Sequence, residues 1–192
     1  GVFDNMGFVV ELLLHDNPLT SLLSVDPGAS VSTRSVAEKR NTNNTNSFTA
    51  NVNTNTNANA NNANTPLVRL TNLTLLDLRR TALAGVEERA LKGLVRLETL
   101  LLDESEVAEL HPQCWHGLSS LSSLSLRSCN LRNLRPNAFA GLHALHTLNL
   151  DGNAFPTIPA NAFADLPNLD ALFLSKGILR VVELDAFRNL GK

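Results

Sequence analysis

Residues 145–168 read LHTLNLDGNAFPTIPANAFADLPN, and this stretch carries the pattern that decides the fold. A large apolar residue stands at its positions 1, 4, 6, 11, 14, 19 and 22. The same seven positions recur every 24 residues in five consecutive repeats, numbered 1 to 5 here, which begin at Leu73, Leu97, Leu121, Leu145 and Leu169. All 35 positions are large and apolar. A fixed period of this length is the signature of a solenoid built from stacked repeats.

The pattern resembles that of the leucine-rich repeat family, L-x-x-L-x-L-x-x-N-x-L, in its 24-residue form. The resemblance covers residues 67–192 without a gap. It implies an α/β solenoid shaped as a horseshoe, with a parallel sheet on the concave face and loops or short helical turns on the convex side. Residues such as Leu148 and Leu150 would point inward from a short strand. Each buried Leu or Phe stabilises by about 1.5–3 kcal/mol once a neighbouring repeat covers it.

Three further positions of the repeat predict how neighbouring repeats join. Position 19 forms an apolar spine of Leu91, Trp115, Phe139, Phe163 and Phe187. Position 9, where the family has an Asn that bonds the backbone, reads Thr81, Ser105, Cys129, Asn153 and Gly177. Because glycine has no side-chain donor or acceptor, we expect repeat 5 to be the loosest. Position 18 is small, Ala in every repeat except at Cys114. Cys114 and Cys129 occupy different positions, which predicts two buried free thiols rather than a disulfide.

The start of the chain fits the same template, with Leu12 and Leu14 in register, so residues 1–23 are predicted to be partial repeats. Leu22 and Leu67 would be 5 residues apart in an uninterrupted repeat, but they are 45 apart. An insertion therefore interrupts one repeat, and such a loop is tolerated because loop-closure cost rises slowly with length. The predicted division is residues 1–23, an insertion at 24–65, and a solenoid at 66–192.

The insertion is rich in Asn and Thr, and 12 of residues 41–64 are Asn. Such a stretch buries too little apolar surface to offset chain entropy, so we expect residues 24–65 to be disordered. Low-complexity expansion is the favoured interpretation, with a prion-like tract and a gene-model error as alternatives. Lys39-Arg40 within it resembles a dibasic cleavage site, and such pairs are common in flexible segments.

Both ends of the chain lack the cysteine-rich caps that shield extracellular members of the family, which indicates a fragment of a longer protein. Uncapped repeat ends expose apolar surface, so self-association through them is a further expectation. A signal peptide starting at Met6 is the alternative for the first residues, but Glu11 and His15 interrupt its apolar run.

Composition and motifs argue against several classes of protein. A net charge of −2 and a pI near 6.2 disfavour a nucleic-acid partner. The apolar runs are too short for a membrane-spanning helix. No nucleophile, phosphate-loop or dinucleotide motif appears, and pairs such as His143 and His146 lack converging Cys or carboxylates. We therefore expect no enzymatic activity, cofactor, metal or small-molecule substrate.

The candidate binding residues stand at positions 5, 7 and 8, which point away from the core on the concave face. They are Arg79, Arg80, Leu101, Asp103, Glu104, Arg127, Asn149, Asp151 and Phe173. Charges of opposite sign alternate along position 7, and neighbouring strands lie about 4.8 Å apart. These charges would either neutralise one another or form a polar patch that binds a complementary partner. Leu101 and Phe173 are expected to be exposed, and aromatic residues are typical binding anchors.

The resemblance implies a non-catalytic protein-interaction module. Repeats of this form are similar to those of cell-surface receptors, adhesion proteins and Toll-like receptors, which favours part of an extracellular or membrane-tethered protein with a protein ligand. A cytosolic scaffold or regulatory subunit is the alternative. Two glycosylation sequons occur, Asn43-Asn44-Thr45 and Asn72-Leu73-Thr74. Asn72 precedes a predicted strand and is the candidate glycosylation site.

Overall fold

The structure is a computed structural model that describes residues 10–16, 32–33, 48–49, 70–87 and 90–190. No helix occurs in these described ranges. The strands are β1 (Glu11–Leu13), β2 (Ser32–Thr33), β3 (Phe48–Thr49), β4 (Leu75–Asp77), β5 (Gly85–Val86), β6 (Thr99–Leu101), β7 (Glu109–Leu110), β8 (Ser123–Ser125), β9 (Thr147–Asn149), β10 (Thr157–Ile158), β11 (Ala171–Phe173) and β12 (Val181–Val182).

Six strands form one parallel sheet in the order β1, β4, β6, β8, β9 and β11. From β4 onward each strand pairs with its equivalent one repeat later, so that Leu76 lies opposite Leu100, and Leu124 opposite Leu148. β1 continues the sheet beside β4, with Glu11 opposite Leu75. The predicted parallel-strand solenoid is confirmed, and its period is the period of the apolar pattern.

The convex side consists of turns and short strands. β5 pairs with β7 and β10 pairs with β12, both in parallel. The chain leaves each main strand through a residue with positive φ at position 8, where Gly152 (φ 71°) is the one glycine. An added Cβ there would lie 2.7 Å from the Ser128 hydroxyl oxygen, so this turn depends on the missing side chain.

The core is one continuous apolar cluster between the two faces. All seven apolar positions are buried in each of repeats 1 to 4. In repeat 5, Val182 and Phe187 are exposed at 48% and 42%. Repeat 5 is the least buried of the five, because no further described repeat covers its outer side, and the loose packing expected from Gly177 stays a prediction.

The aromatic spine stacks along the convex side of repeats 2 to 5. Ring centroids are 6.4 Å apart between Trp115 and Phe139, 5.8 Å between Phe139 and Phe163, and 5.6 Å between Phe163 and Phe187. The indole N–H of Trp115 also donates a hydrogen bond of 2.9 Å to the carbonyl of Ala138. Stacked aromatic pairs contribute about 0.5–1.5 kcal/mol beyond their area burial, so the spine ties four repeats together.

Position 9 joins neighbouring repeats through hydrogen bonds to the backbone. Asn153 makes four such bonds: its Nδ2 donates to the carbonyls of Leu126 (2.7 Å) and Leu150 (2.8 Å). Its Oδ1 accepts from the N–H groups of Cys129 and Leu131, both at 3.1 Å. Position 9 makes fewer bonds in the preceding repeats. The hydroxyls of Thr81 and Ser105 both donate to the Leu78 carbonyl, and the Cys129 thiol donates to the Leu102 carbonyl. At Gly177 the backbone instead lies so close that an added Cβ would be 2.9 Å from the Asn153 carbonyl oxygen.

Cys114 and Cys129 are both free and buried, as the sequence predicts. Burial raises the pKa of each thiol to about 12. Because the thiolate is the reactive form, we expect neither to react with Ellman's reagent in the native protein at pH 8, and both to react in urea. Thiols of the unfolded chain ionise near pH 8.5, with a pKa below the folded value, so stability should fall as the pH rises from about 8.5 toward 12.

The matched control for this pH dependence is the double variant Cys114→Ala, Cys129→Ser, which uses residues that other repeats carry at positions 18 and 9. Its urea midpoint should change less between pH 8 and pH 10.5 than that of the parent chain. Equal slopes in the two proteins, or rapid native labelling, would contradict buried thiols.

Several predictions concern residues outside the described ranges. These are the signal peptide at Met6, the Lys39-Arg40 pair, the first sequon and most of residues 1–23 and 24–65. Within the insertion the structure describes β2 paired antiparallel with β3, with Ser32 opposite Thr49. The division of the chain and the disorder of residues 24–65 stay predictions. The described residues contain no helix long and apolar enough to span a lipid bilayer.

Candidate functional site

The outer surface of the six-stranded sheet brings the predicted site residues together. In β9, for example, Thr147 and Asn149 are half-buried while Leu148 between them is buried, because alternate side chains point to opposite faces. Positions 5 and 7 therefore lie on the concave face, and position 8 lies at its edge. All nine candidate residues share this one surface.

Two of the candidate arginines are engaged by acidic residues that the sequence prediction missed. Arg79 makes paired hydrogen bonds to Asp77, at 2.9 Å from Nε and 2.7 Å from Nη2, and Asp77 is only 2% exposed. Burial would raise the pKa of Asp77, but the hydrogen bonds from Arg79 outweigh it and lower that pKa. Arg80 bonds Asp16 in the preceding coil, and these hydrogen bonds hold the pKa of Asp16 well below its usual value.

The charged side chains at position 7 form no salt bridges with one another in the described ranges, so the alternative of a self-neutralising ladder of ion pairs is wrong. In the described ranges Arg127 makes no ion pair with Asp103 or Asp151. Asp103 instead accepts hydrogen bonds from the Ser125 hydroxyl and the backbone N–H of Arg127 (3.0 Å). Asp151 accepts from the backbone N–H and hydroxyl of Ser175, at 2.7 and 2.8 Å. The short side chains of Asp103 and Asp151 reach the backbone of the next repeat. Their carboxylates therefore accept hydrogen bonds from backbone N–H groups there and form no ion pair with Arg127.

Three candidate residues remain available on adjacent strands. Phe173 is 46% exposed on β11, and Arg127 is exposed just after β8, with no side-chain hydrogen bond or ion pair to any described residue. Asn149 on β9 lies between them and is half-buried, with its Oδ1 accepting from the N–H of Asp151 (3.0 Å). We call Arg127, Asn149 and Phe173 the concave patch.

The remaining candidates lie toward repeats 1 and 2. Leu101 is half-buried rather than exposed, so the expectation that it is exposed is wrong, because the neighbouring strands cover part of its side chain. Glu104 is exposed beside it at position 8. An exposed aromatic and an unpaired cation on a rigid sheet can bind a partner, and nothing in the concave patch supplies a nucleophile or a general base.

Asn72 lies in the turn that leads into β4 and is half-exposed. Its Oδ1 accepts a hydrogen bond of 2.9 Å from Arg96, one repeat later. The Thr74 hydroxyl of the same sequon donates to the carbonyl of Val10 (3.1 Å). The sequon is therefore part of an ordered turn at the edge of the sheet.

Comparisons with known proteins agree with this architecture. Residues 71–131 and 119–177 match a family model described as leucine rich repeat. A comparison with curated proteins finds no match. Among solved structures, the chain is similar to a chain in the crystal structure of a TLR13–ssRNA13 complex, at 30% identity and a TM-score of 0.64 over 66% of this chain and 18% of that one. It is also similar to a chain in the mouse RP105/MD-1 complex, at 31% identity and a TM-score of 0.59 over 66% and 22%. The chain thus spans about a fifth of either.

Proposed function

This chain belongs to the leucine-rich repeat family, and we propose that it is a partner-binding module of a receptor-type member of that family. The observation that carries the proposal is the concave patch, where Phe173 and the unpaired Arg127 stand on a rigid sheet. Aromatic and arginine side chains dominate binding energy at protein interfaces. Both similar structures are complexes, of TLR13 with ssRNA and of RP105 with MD-1, which supports a binding role.

The proposed ligand is a protein rather than a nucleic acid. A nucleic-acid surface needs several Lys or Arg side chains that are free to contact phosphates. On this face Arg79 and Arg80 are bound to Asp77 and Asp16. Arg127 stands between two carboxylates one repeat away on either side, so the surface has mixed charge. The TLR13 structure contains RNA, and an RNA competitor is therefore part of the test.

The proposed compartment is the cell surface or a lumenal space, and a cytosolic scaffold is the alternative. The resemblance to receptor repeats and the Asn72 sequon support the first. A chain that passes through the secretory pathway meets the enzymes that glycosylate such a sequon, whereas a cytosolic chain does not.

We expect Asn72 to carry a glycan when the gene is expressed in its native cells. Treatment with an N-glycosidase should then shift the mass of the tryptic peptide that contains Asn72. The variants Asn72→Gln and Thr74→Ala should both lose the glycan. Thr74→Ser is the matched control, because it keeps both the sequon and the hydroxyl that bonds Val10. An unmodified Asn72 in protein from native cells would favour the cytosolic alternative.

The concave patch is tested with the variants Phe173→Ala and Arg127→Ala. A partner recovered from native cells should bind each variant at least about tenfold more weakly, since hot-spot truncations typically cost 2 kcal/mol or more. Leu184→Ala and Arg180→Ala are matched controls, since both residues are exposed and lie outside the sheet surface. Surface plasmon resonance measures the affinities. If the control variants weaken partner binding equally, the concave patch is not the binding site. If single-stranded RNA displaces the partner, the proposed ligand class is wrong.

A further inference from the structure

A groove lies on the convex side between repeats 2 and 3. The spine is widest there, with the Trp115 and Phe139 rings 6.4 Å apart and inclined by 14°, against 5.6 Å and 5° between Phe163 and Phe187.

One backbone hydrogen bond that joins the following repeats is missing here. At position 17, the N–H of Asn137 donates to the carbonyl of Asn161 (2.9 Å), and the N–H of Asn161 donates to the carbonyl of Asp185 (3.1 Å). The equivalent N–H group of repeat 2 belongs to Gln113. In the part of the chain that the structure describes, it makes no such bond to repeat 3. One backbone donor is therefore available beside the groove.

This groove has a volume of about 470 Å³ and is lined by residues at positions 14–23 of repeats 2 and 3. We call it the convex groove. Pro112, Pro136 and Ala138 give it apolar walls, and the buried side chains of Leu110 and Trp115 lie beneath them. Its volume lies within the range of about 300–1,000 Å³ that is typical of ligand pockets.

The polar groups of the convex groove favour a negatively charged ligand. His111, His116 and Arg135 line it, and no Asp or Glu is among its lining residues. Arg135 contacts Glu109 in the smaller adjoining cavity only at 3.9 Å, with both side chains 62% exposed. Such an exposed, distant pair is weak, so the guanidinium keeps its donors for a carboxylate.

We propose that the convex groove binds an acidic segment of a protein partner, with a Glu or Asp carboxylate on Arg135 and neighbouring side chains against the apolar walls. A peptide is favoured over a bare anion because the groove combines the exposed cation of Arg135 with apolar walls along two repeats. This surface lies on the opposite side of the solenoid from the concave patch, and its occupant is independent of the concave ligand.

The test uses the only tryptophan of the chain as its reporter, because Trp115 lines the groove and the chain contains no Tyr. The full chain is titrated with the peptide Ac-Glu-Leu-Pro-Glu-NH2 and with its matched glutamine counterpart, while Trp115 emission is recorded. We expect a saturable change with the Glu peptide and binding at least about tenfold weaker with the Gln peptide, since hydrogen bonds to charged groups contribute about 1.5–3 kcal/mol.

Variants separate the groove from nonspecific binding. The Arg135→Ala variant should bind the Glu peptide about tenfold or more weakly. Arg180 is an exposed arginine in repeat 5, and the Arg180→Ala variant should bind this peptide with unchanged affinity. The Arg135→Glu variant should not bind the Glu peptide, and it should bind a counterpart peptide in which Lys replaces both Glu residues. The proposal is overturned by equal binding of the Glu and Gln peptides or by an unaffected Arg135→Ala variant. It is also overturned if inorganic phosphate or oligouridylate gives the same Trp115 change with equal or higher affinity.

Discussion

Replacing Phe139 with alanine is expected to lower the free energy of unfolding by about 3–5 kcal/mol, as is typical for a buried Phe truncated to Ala. Phe139 is fully buried and stacks on Trp115 at one side and on Phe163 at the other, so the cavity opens in the middle of the spine. Repeats 2 and 4 cannot close that gap, because the sheet on the concave face fixes their spacing.

Urea denaturation followed by circular dichroism and by Trp115 emission measures this loss. Phe139→Leu, which keeps most of the volume, should cost less than about 1.5 kcal/mol. Phe187→Ala is the matched control, since Phe187 is 42% exposed and stacks on one side with Phe163. Phe187→Ala should lower the free energy of unfolding by about 1–2 kcal/mol, because a partly exposed side chain stabilises less than a fully buried one. If Phe187→Ala is as costly as Phe139→Ala, the spine does not stabilise through enclosure.

Replacing Asn153 with alanine is expected to cost about 3–5 kcal/mol, because it leaves several buried backbone groups unsatisfied at once. The carbonyls of Leu126 and Leu150 lose a donor, and the N–H groups of Cys129 and Leu131 lose an acceptor. These groups belong to repeats 3 and 4, so the loss acts on the junction rather than within one repeat.

Three variants resolve the contributions of the Asn153 amide in the same urea experiment. Asn153→Asp keeps the acceptor but loses the donor and buries a charge, so it should be at least as harmful as Asn153→Ala. Ser105→Ala removes a hydroxyl that donates to the Leu78 carbonyl and accepts from the Thr81 backbone N–H, two backbone groups against four at Asn153, and should cost about 1–2 kcal/mol. Asn133→Ala, at an exposed position, should stay within about 0.5 kcal/mol of the parent. A result for Asn153→Ala that equals that for Asn133→Ala would refute the role of position 9.

The core and the strand register were predictable because both follow from one periodic signal. Seven apolar positions per repeat must all point inward, and only a parallel stacking at the period of 24 residues satisfies them. Position 9 was predictable for the same reason, since its polar side chains recur at one place beside the sheet. The surface of the sheet was predictable as a location, but its pairings were not.

The pairings depend on distances that a repeat pattern does not contain. Asp103 has several possible partners within one or two strands: a hydroxyl, a backbone N–H and two arginines. The sequence does not show which of them the carboxylate will bond. In the structure the Asp103 carboxylate accepts hydrogen bonds from the Ser125 hydroxyl and from the backbone N–H of Arg127, and the Arg127 side chain is left unpaired. The convex groove was likewise unpredictable, because its shape depends on how side chains of two neighbouring repeats meet, which the repeat pattern does not contain.

The pairing of β1 with β4 has a consequence for the order in which the chain assembles. Its paired residues are 64 apart in sequence, as with Glu11 and Leu75, whereas the other main-sheet pairs are 24 apart. Closing the longer loop costs only about 0.9 kcal/mol more, because loop entropy grows with the logarithm of length. Because contacts that close shorter loops form first, we expect β1 to pair with β4 after repeats 1 to 5 have formed their part of the sheet. Shortening or lengthening the chain between β1 and β4 should consequently have little effect on the stability of the sheet.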